Sequence, residues 1–188
     1  MNVNYAIEGL TSLKALPHEL SHAHVKAAIK TMNREGTRLK TFLFKEVRSE
    51  YMIKTSDLKK SAKEIRASYE GVGVRGLFYE LGIGSRPLPL SYFGAREKWV
   101  RGADGIKRRG VTVKIKRKGR RKMAKSAFLH DGHIFKREAE ERYPLKYLTS
   151  LSIPQMFKEE IVLDGLKLTE EHFPKTYHES LMFYTSKI

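Results

Sequence analysis

The longest regular pattern of apolar positions in this chain runs from about Pro17 to Tyr51. Apolar or small residues recur here at steps of three and four, which is one stripe of a helix. The members of the stripe are Val25, Ile29, Met32, Gly36, Leu39, Leu43 and Val47. At 1.5 Å per residue such a helix is about 50 Å long, so we expect it to span the domain or to project toward a neighbouring subunit. Gly36 lets another backbone approach, kinks the helix, or is simply tolerated.

Shorter patterns predict further elements. Thr55-Ser56-Asp57 is expected to cap a short helix that ends at Ser61. Alternating residues at 64–69 and 74–81 predict two strands, followed by a loop over 82–94. Asp131-Gly132 separates two further strand-like segments, which is typical of a two-residue hairpin.

The end of the chain, residues 155–187, has a helical pattern that we expect to break near Pro174. The order of helix, strands and helix predicts an α+β fold. In it a long N-terminal helix packs on a small, mainly antiparallel sheet with a basic β-hairpin, and a C-terminal helix follows. We expect a single domain over residues 1–188, with the long helix at 17–51, the sheet at 63–138 and the C-terminal helical region at 154–187. Two small domains are the alternative, but no linker indicates them.

Charge is concentrated in one segment of the chain. From Lys107 to Lys125 there are eleven Lys and Arg residues and no Asp or Glu. Val111, Val113 and Ile115 alternate with polar or basic residues, which predicts a strand with one apolar and one cationic face. A solvated edge strand explains two or three lysines but not eleven charges without a counter-charge. The segment has no aromatic residue, so any contact to nucleic acid is expected to be with phosphates and insensitive to sequence.

Composition supports an anionic partner. The formal net charge is +16 over 188 residues and the isoelectric point is about 10.0. A chain with this charge repels itself, so nucleic acid or an acidic protein is the natural partner, and the sequence does not separate the two. The absence of cysteine excludes disulfides and thiolate metal sites. Without a signal-peptide pattern or an apolar segment of membrane-spanning length, the sequence predicts a soluble protein made in the cytosol.

Two motifs resemble catalytic or cofactor-binding signatures. His18-Glu19-Leu20-Ser21-His22 matches H-E-x-x-H, but Ala28 occupies the position of a third ligand and nothing indicates an enclosed site. Gly71-Val72-Gly73-Val74-Arg75-Gly76 spells G-x-G-x-x-G, yet the apolar and aromatic residues 77–81 that follow suit a strand rather than the helix that a dinucleotide site needs. We therefore expect no metal, no cofactor and no catalysis, and a metalloprotease is the weakest of the readings considered.

Several stretches together resemble the minor tail protein Z family of lambda-like tailed phages and prophages. They cover about residues 7–185 in order. They are Ala27-Ala28-Ile29 with Met32-Asn33-Arg34, Ser85-Arg86-Pro87-Leu88-Pro89-Leu90 before Phe93-Gly94-Ala95-Arg96, Gly110-Val111-Thr112-Val113 with Gly119-Arg120-Arg121-Lys122, Ala127-Phe128, and Ser152-Ile153-Pro154-Gln155-Met156. The resemblance implies a structural virion protein that acts late in tail completion and head–tail joining, with no catalytic residues. It also implies a place at the head-proximal end of the tail, after assembly in the cytoplasm of the bacterial host.

The expected partners are other tail or neck proteins, such as the tail terminator, the tail tube or the head connector, and further copies of the chain in a ring. Sequence-independent contact with phage DNA is a further expectation, and no membrane partner is expected. The polyanion-facing residues are predicted to be Arg108, Arg109, Lys116, Arg117, Arg120, Arg121 and Lys122. Leu90, Tyr92 and Phe93 are candidate interface residues, unless their loop turns its aromatic side chains into the core. The alternative function is a monomeric basic nucleic-acid-binding protein.

Overall fold

The structure is a computed structural model that describes residues 2–6, 18–69, 77–101, 105–124, 127–139 and 141–187. It has the predicted α+β architecture, with a long N-terminal helix, small antiparallel sheets and a C-terminal helix. The chain forms two compact units, each assembled from separate stretches. The first unit comprises Met1–Lys45, Ala62–Gly84 and Phe157–Ile188, and the second comprises Glu46–Ser61 and Ser85–Met156. The expected single domain over 1–188 stays a prediction.

The first unit combines two long helices with a three-stranded sheet. Helix α1 spans His18–Glu50 and lies in this unit up to Lys45. Strands β1 (Asn2–Ala6), β2 (Ala62–Ile65) and β3 (Phe78–Ile83) form an antiparallel sheet with β3 at its centre. The second helix of this unit, α3, spans Glu159–Thr185. The apolar stripe predicted on α1 supplies much of the core, because Met32, Leu39 and Leu43 are buried.

Gly36 is the point where α1 meets the sheet. A Cβ atom placed on Gly36 would lie 2.5 Å from ring atoms of Tyr79, so the glycine makes room for an aromatic ring. Tyr79 is fully buried, and its hydroxyl donates a hydrogen bond of 2.8 Å to Glu64. Helix α1 continues unbroken through Gly36. The expected kink and the expected approach of another backbone were therefore both wrong, because the space at Gly36 is taken by the side chain of Tyr79.

Helix α3 does not break at Pro174, so that prediction was wrong. The proline removes only one backbone N–H from the helix, and it lies on the exposed side of α3. The opposite face of α3 is buried both before and after the proline, at Thr169 and at Thr176. The Thr176 hydroxyl donates to Glu35 of α1 over 2.7 Å. Packing that continues past the proline therefore outweighs the cost of the missing hydrogen bond.

The second unit contains two small antiparallel sheets, the last turn of α1 and helix α2 (Thr55–Ser61). One sheet has the order β4-β5-β6 and the other β7-β8-β9. These strands are β4 (Arg96–Arg101), β5 (Lys107–Val113), β6 (Lys122–Ala124), β7 (Ala127–His130), β8 (His133–Arg137) and β9 (Leu145–Tyr147). The apolar face predicted for the basic strand packs into the core of this unit, where Val111 and Val113 meet Ala127 and Ile134.

The hairpins show how far local patterns hold. Strands β7 and β8 pair across Asp131-Gly132 as predicted, with positive φ values of 47° and 74° at the two turn residues. The two strands expected at 64–69 and 74–81 are displaced, because β2 covers 62–65 and β3 covers 78–83. The segment between them that contains the G-x-G-x-x-G motif lies outside the described residues. The expected loop over 82–94 contains a short 3-10 helix at Leu90–Phe93, and strands β1, β4 and β9 were not predicted.

Candidate polyanion-binding surface

The basic hairpin, defined as β5 and β6 with the connecting residues 114–121, holds all seven predicted polyanion-facing residues. The hairpin was predicted, and the antiparallel pairing of Val111–Val113 with Lys122–Ala124 shows it. A turn closes where the Gly119 N–H donates to the Lys116 carbonyl over 3.1 Å. For Arg108 the structure describes the backbone alone, so its side chain lies outside the described part of the chain. The other six side chains fall into two groups.

Three of the six hold the hairpin in place. Lys116 forms an ion pair of 2.9 Å with Glu50, and the backbone N–H of Arg117 donates to the Glu50 carbonyl over 2.7 Å. The Arg117 side chain donates to the carbonyl of Arg48. Carbonyl groups at the C-terminus of a helix lack partners within that helix and attract cations. Arg117 therefore caps the end of α1 within the second unit, and Lys116 ties the hairpin to the same helix end through the Glu50 carboxylate.

Arg121 joins neighbouring backbone segments. Its guanidinium donates to the Thr112 side chain over 3.3 Å and to the Thr112 carbonyl over 3.1 Å. It also donates to the carbonyl of Gly94, just after the 3-10 helix. Because these acceptors use several of its five N–H groups, Arg121 holds β5 and the Gly94 segment together and has less capacity for an external anion.

The remaining side chains of the predicted set face solvent. Arg120 and Lys122 are exposed, as is Lys118 beside them, and within the described residues none of the three forms a hydrogen bond or an ion pair. Arg109 is exposed too, with a weak ion pair of 4.0 Å to Glu97 and its guanidinium 5.4 Å from the centre of the Trp99 ring. Arg109, Arg120 and Lys122 are therefore the members of the predicted set that are free to meet an anion, and Lys118 adds a fourth exposed cation from outside that set.

The candidate interface residues divide in the same way. Phe93 is fully buried, in line with the alternative in which the loop turns its aromatic side chains into the core. Leu90 is partly buried and packs against the core of Val111, Val113, Ala127 and Ile134. An interface role for these residues stays a prediction. Tyr92 is 42% exposed and stays available.

Strand β4 brings basic residues that sequence reasoning missed. It pairs with β5 over Arg96–Arg101 and Lys107–Thr112, and Arg96, Lys98 and Arg101 are exposed. Trp99 lies between them, 61% exposed, so the aromatic residue that the 107–125 segment lacks comes from the adjacent strand. The signal for β4 is weak, because charged residues hold most of its positions and no apolar alternation marks it.

A groove of about 670 Å³ lies within the second unit. Its lining includes the cations Lys54, Lys60 and Arg117 and one carboxylate, Asp57. Tyr92 also lines it. The groove therefore extends the cationic surface beyond the hairpin, through residues of α2 and its preceding loop that the charge pattern did not single out.

The charge of the chain is divided unequally between the two units. The second unit carries 23 basic and 9 acidic residues, a net charge of +14. The first unit carries 14 basic and 12 acidic residues, a net charge of +2, which completes the +16 of the chain. The first unit also pairs its charges internally. Glu64, for example, accepts from Lys40, Tyr79 and Arg66 over 2.6–3.1 Å.

The H-E-x-x-H motif gains no support as a metal site. It lies at the start of α1, and the side chains of residues 18–21 are outside the described part of the chain. The one motif side chain that is described, His22, lies 2.8 Å from the Tyr69 hydroxyl. Among the described residues, no group of three or more His, Cys, Asp or Glu side chains is placed to hold a metal ion.

Comparison with protein-family models gave no match, and comparisons with curated proteins and with solved structures gave no significant match. No helix in the described part of the chain is both long and apolar enough to cross a membrane. The candidate site consists of a cationic unit with a basic hairpin, an adjoining basic strand with an exposed tryptophan, and a basic groove.

Proposed function

We propose that this chain is a structural virion protein of a tailed bacteriophage, a tail-completion component at the head-proximal end of the tail that acts in tail assembly and head–tail joining. It has no enzymatic role in this proposal. Its second unit docks on a component of opposite charge, and its partners are the tail terminator, the tail tube or the head connector. Further copies of the chain complete a ring.

The observation that carries the proposal is the segregation of charge. A net +14 on the second unit, against +2 on the first, gives the chain one surface suited to a polyanion and one that is nearly neutral. The sequence resemblance over residues 7–185 supports the phage assignment, and its Gly119-Arg120-Arg121-Lys122 segment falls in the basic hairpin. In a ring, the charge of each copy would add around a central passage.

Neutralising exposed charge tests the proposal without disturbing the fold. The variant is Lys118→Gln/Arg120→Gln/Lys122→Gln, and it spares Lys116, Arg117 and Arg121 because these three stabilise the hairpin. The variant is supplied in trans to a phage or prophage that lacks the gene, and the titre of infectious particles is measured. We expect the titre to fall by about tenfold or more.

The matched control removes the same charge from the first unit. Lys26→Gln/Lys167→Gln/Lys175→Gln changes three exposed lysines of α1 and α3 and should support a normal titre. Equal titres for the two triple variants would show that hairpin charge is incidental to assembly. A genome without other phage tail genes around this one would contradict the proposal directly.

One observation favours a second function, a monomeric nucleic-acid-binding protein. Trp99 is 61% exposed beside Arg109, which supplies an aromatic contact next to basic residues. Light scattering on the purified protein, together with a DNA-binding assay, separates the two functions. A stable ring favours the tail role, whereas a strict monomer that binds DNA tightly favours the second function.

A further inference from the structure

The basic arm, defined as β4 (Arg96–Arg101) with Lys107–Gly110 of β5, is a two-stranded ribbon. Strand β5 contributes Val111 and Val113, which lie beyond the arm, to the hydrophobic core of the second unit. Every described side chain of β4 is exposed, as are those of Lys107 and Arg109. Within the described residues the arm forms one ion pair, between Arg109 and Glu97 at 4.0 Å, so most of its cations have no carboxylate partner there.

Cations lie on both faces of this ribbon. Residues directly opposite each other in an antiparallel pair share a face, and successive residues alternate between faces. The pairing Trp99↔Arg109 and Arg101↔Lys107 places three cations and the tryptophan on one face. Arg96 and Lys98 lie on the other.

The arm keeps this charge at the expense of its own pairing. Arg101 and Lys107 are directly opposite each other, and like charges in that position destabilise a sheet. A solvated edge that only prevents aggregation needs a few charges on one strand, not like charges facing each other across two. The arrangement therefore points to a counter-charge supplied by a ligand.

We propose that the basic arm binds double-stranded nucleic acid by entering a groove and contacting phosphates on both sides. The major groove, about 12 Å wide, admits a two-stranded β-ribbon, and its two phosphate backbones flank whatever enters it. Cations on both faces of the arm match that geometry, whereas an acidic protein surface would neutralise one face and leave the other unpaired. Trp99, with the Arg109 guanidinium 5.4 Å from its ring centre, adds an apolar contact that needs no particular sequence. This inference goes beyond the proposed function, which requires only that the second unit docks on a component of opposite charge.

The only tryptophan of the chain lies on the arm, so intrinsic fluorescence reports contact there directly. The full-length protein is titrated with a random-sequence DNA duplex of 24 base pairs at several salt concentrations, while fluorescence anisotropy of labelled DNA measures affinity independently. We expect Trp99 emission to change in parallel with binding. In Arg96→Gln/Lys98→Gln/Arg101→Gln, the slope of log affinity against log salt should become shallower by about 0.9 for each phosphate contact removed, and affinity at 0.1 M salt should fall about tenfold or more.

The control is again Lys26→Gln/Lys167→Gln/Lys175→Gln, which should keep both the slope and the affinity, and circular dichroism checks that each variant is folded. Unchanged affinity and slope in the arm variant would overturn the inference. So would Trp99 emission that stays constant while the labelled DNA is saturated. Tighter binding of polyglutamate than of DNA, with a change in Trp99 emission, would assign the arm to an acidic protein instead. None of these results decides the proposed structural role, because the particle-titre assay of the basic hairpin tests that role separately.

Discussion

Two adjacent arginines of the basic hairpin have opposite surroundings. Arg120 is exposed and, within the described residues, has no hydrogen-bond or ion-pair partner, whereas Arg121 donates to Thr112 and to the Gly94 carbonyl. In the sequence they are equivalent members of one basic segment. The difference depends on the neighbouring β5 strand and the segment after the 3-10 helix, which only the tertiary structure brings to Arg121. Individual roles within a charge cluster are therefore decided by acceptors that are distant in sequence.

These two arginines make a matched pair for mutation. Arg121→Gln should lower the free energy of unfolding by about 1–3 kcal/mol, because it removes charge-assisted hydrogen bonds to backbone carbonyls. Arg120→Gln should change it by less than about 0.5 kcal/mol, as expected for an exposed side chain. Urea titrations followed by circular dichroism measure both. Equal effects of the two substitutions would contradict the roles assigned here.

The carboxylate of Glu64 is the clearest pH-dependent group in the first unit. Partial burial alone would raise its pKa, but hydrogen bonds from Lys40, Tyr79 and Arg66 outweigh that effect and lower the pKa to about 2. The ordinary value is 4.5, so the unfolded chain takes up a proton at higher pH than the folded chain. The stability that this gives is complete above pH 4.5 and is lost as pH falls toward 2.

Glu64→Gln should therefore lower the free energy of unfolding by up to about 3 kcal/mol at pH 7, with a much smaller effect near pH 2. Urea denaturation of the natural chain and the variant at pH 7, 4.5 and 3 measures the difference. Because glutamine does not titrate, the variant should lose less stability than the natural chain between pH 4.5 and 3. The same pH dependence in both proteins would show that the carboxylate does not carry the effect.

At the scale of elements, the sequence predicted those whose own residues decide their structure. The apolar stripe of α1 and the Asp131-Gly132 turn between β7 and β8 are of this kind, because periodicity and turn geometry are local properties. Strand β4 is charged along most of its length, and its conformation depends on pairing with β5. No local sequence pattern therefore predicts it. The predicted break of α3 at Pro174 failed for the same reason, since packing on α1 is not visible in the pattern around the proline.

The candidate site followed the same division. The basic hairpin was predicted from its charge and its alternating apolar residues. The exposure of Lys118, Arg120 and Lys122 follows from the same local pattern. The ion pair of Lys116 and the capping role of Arg117 depend on the end of α1, which the fold places beside them. Trp99 joined the site only through strand pairing. The sequence therefore shows where the basic residues are concentrated. Only the fold shows which of them stabilise the hairpin and which are free to bind an anion.

At the scale of the whole molecule, two compact units share one helix. Helix α1 contributes residues up to Lys45 to the first unit and its last turn to the second, and the chain passes between the units four times. Neither unit is a continuous segment that can fold on its own stretch of chain. We therefore expect the units to unfold together, in keeping with the single domain predicted from the sequence.

That expectation has two independent probes. Trp99 fluorescence reports on the second unit, while circular dichroism at 222 nm reports mainly on α1 and α3. Urea titrations followed by both signals should give coincident transitions with one midpoint. Two separated midpoints would show that the units unfold independently.

The unequal division of charge is the whole-molecule property on which the proposed function depends. With net charges of +14 on the second unit and +2 on the first, a polyanion is attracted mainly to the second unit. The most direct test is the position of the protein in assembled particles. Purified virions of the encoding phage, with the protein tagged at its C-terminus and labelled with gold, are imaged by electron microscopy. We expect gold at the head-proximal end of the tails, and gold that is absent from virions or confined to the distal tail tip would contradict the proposed function.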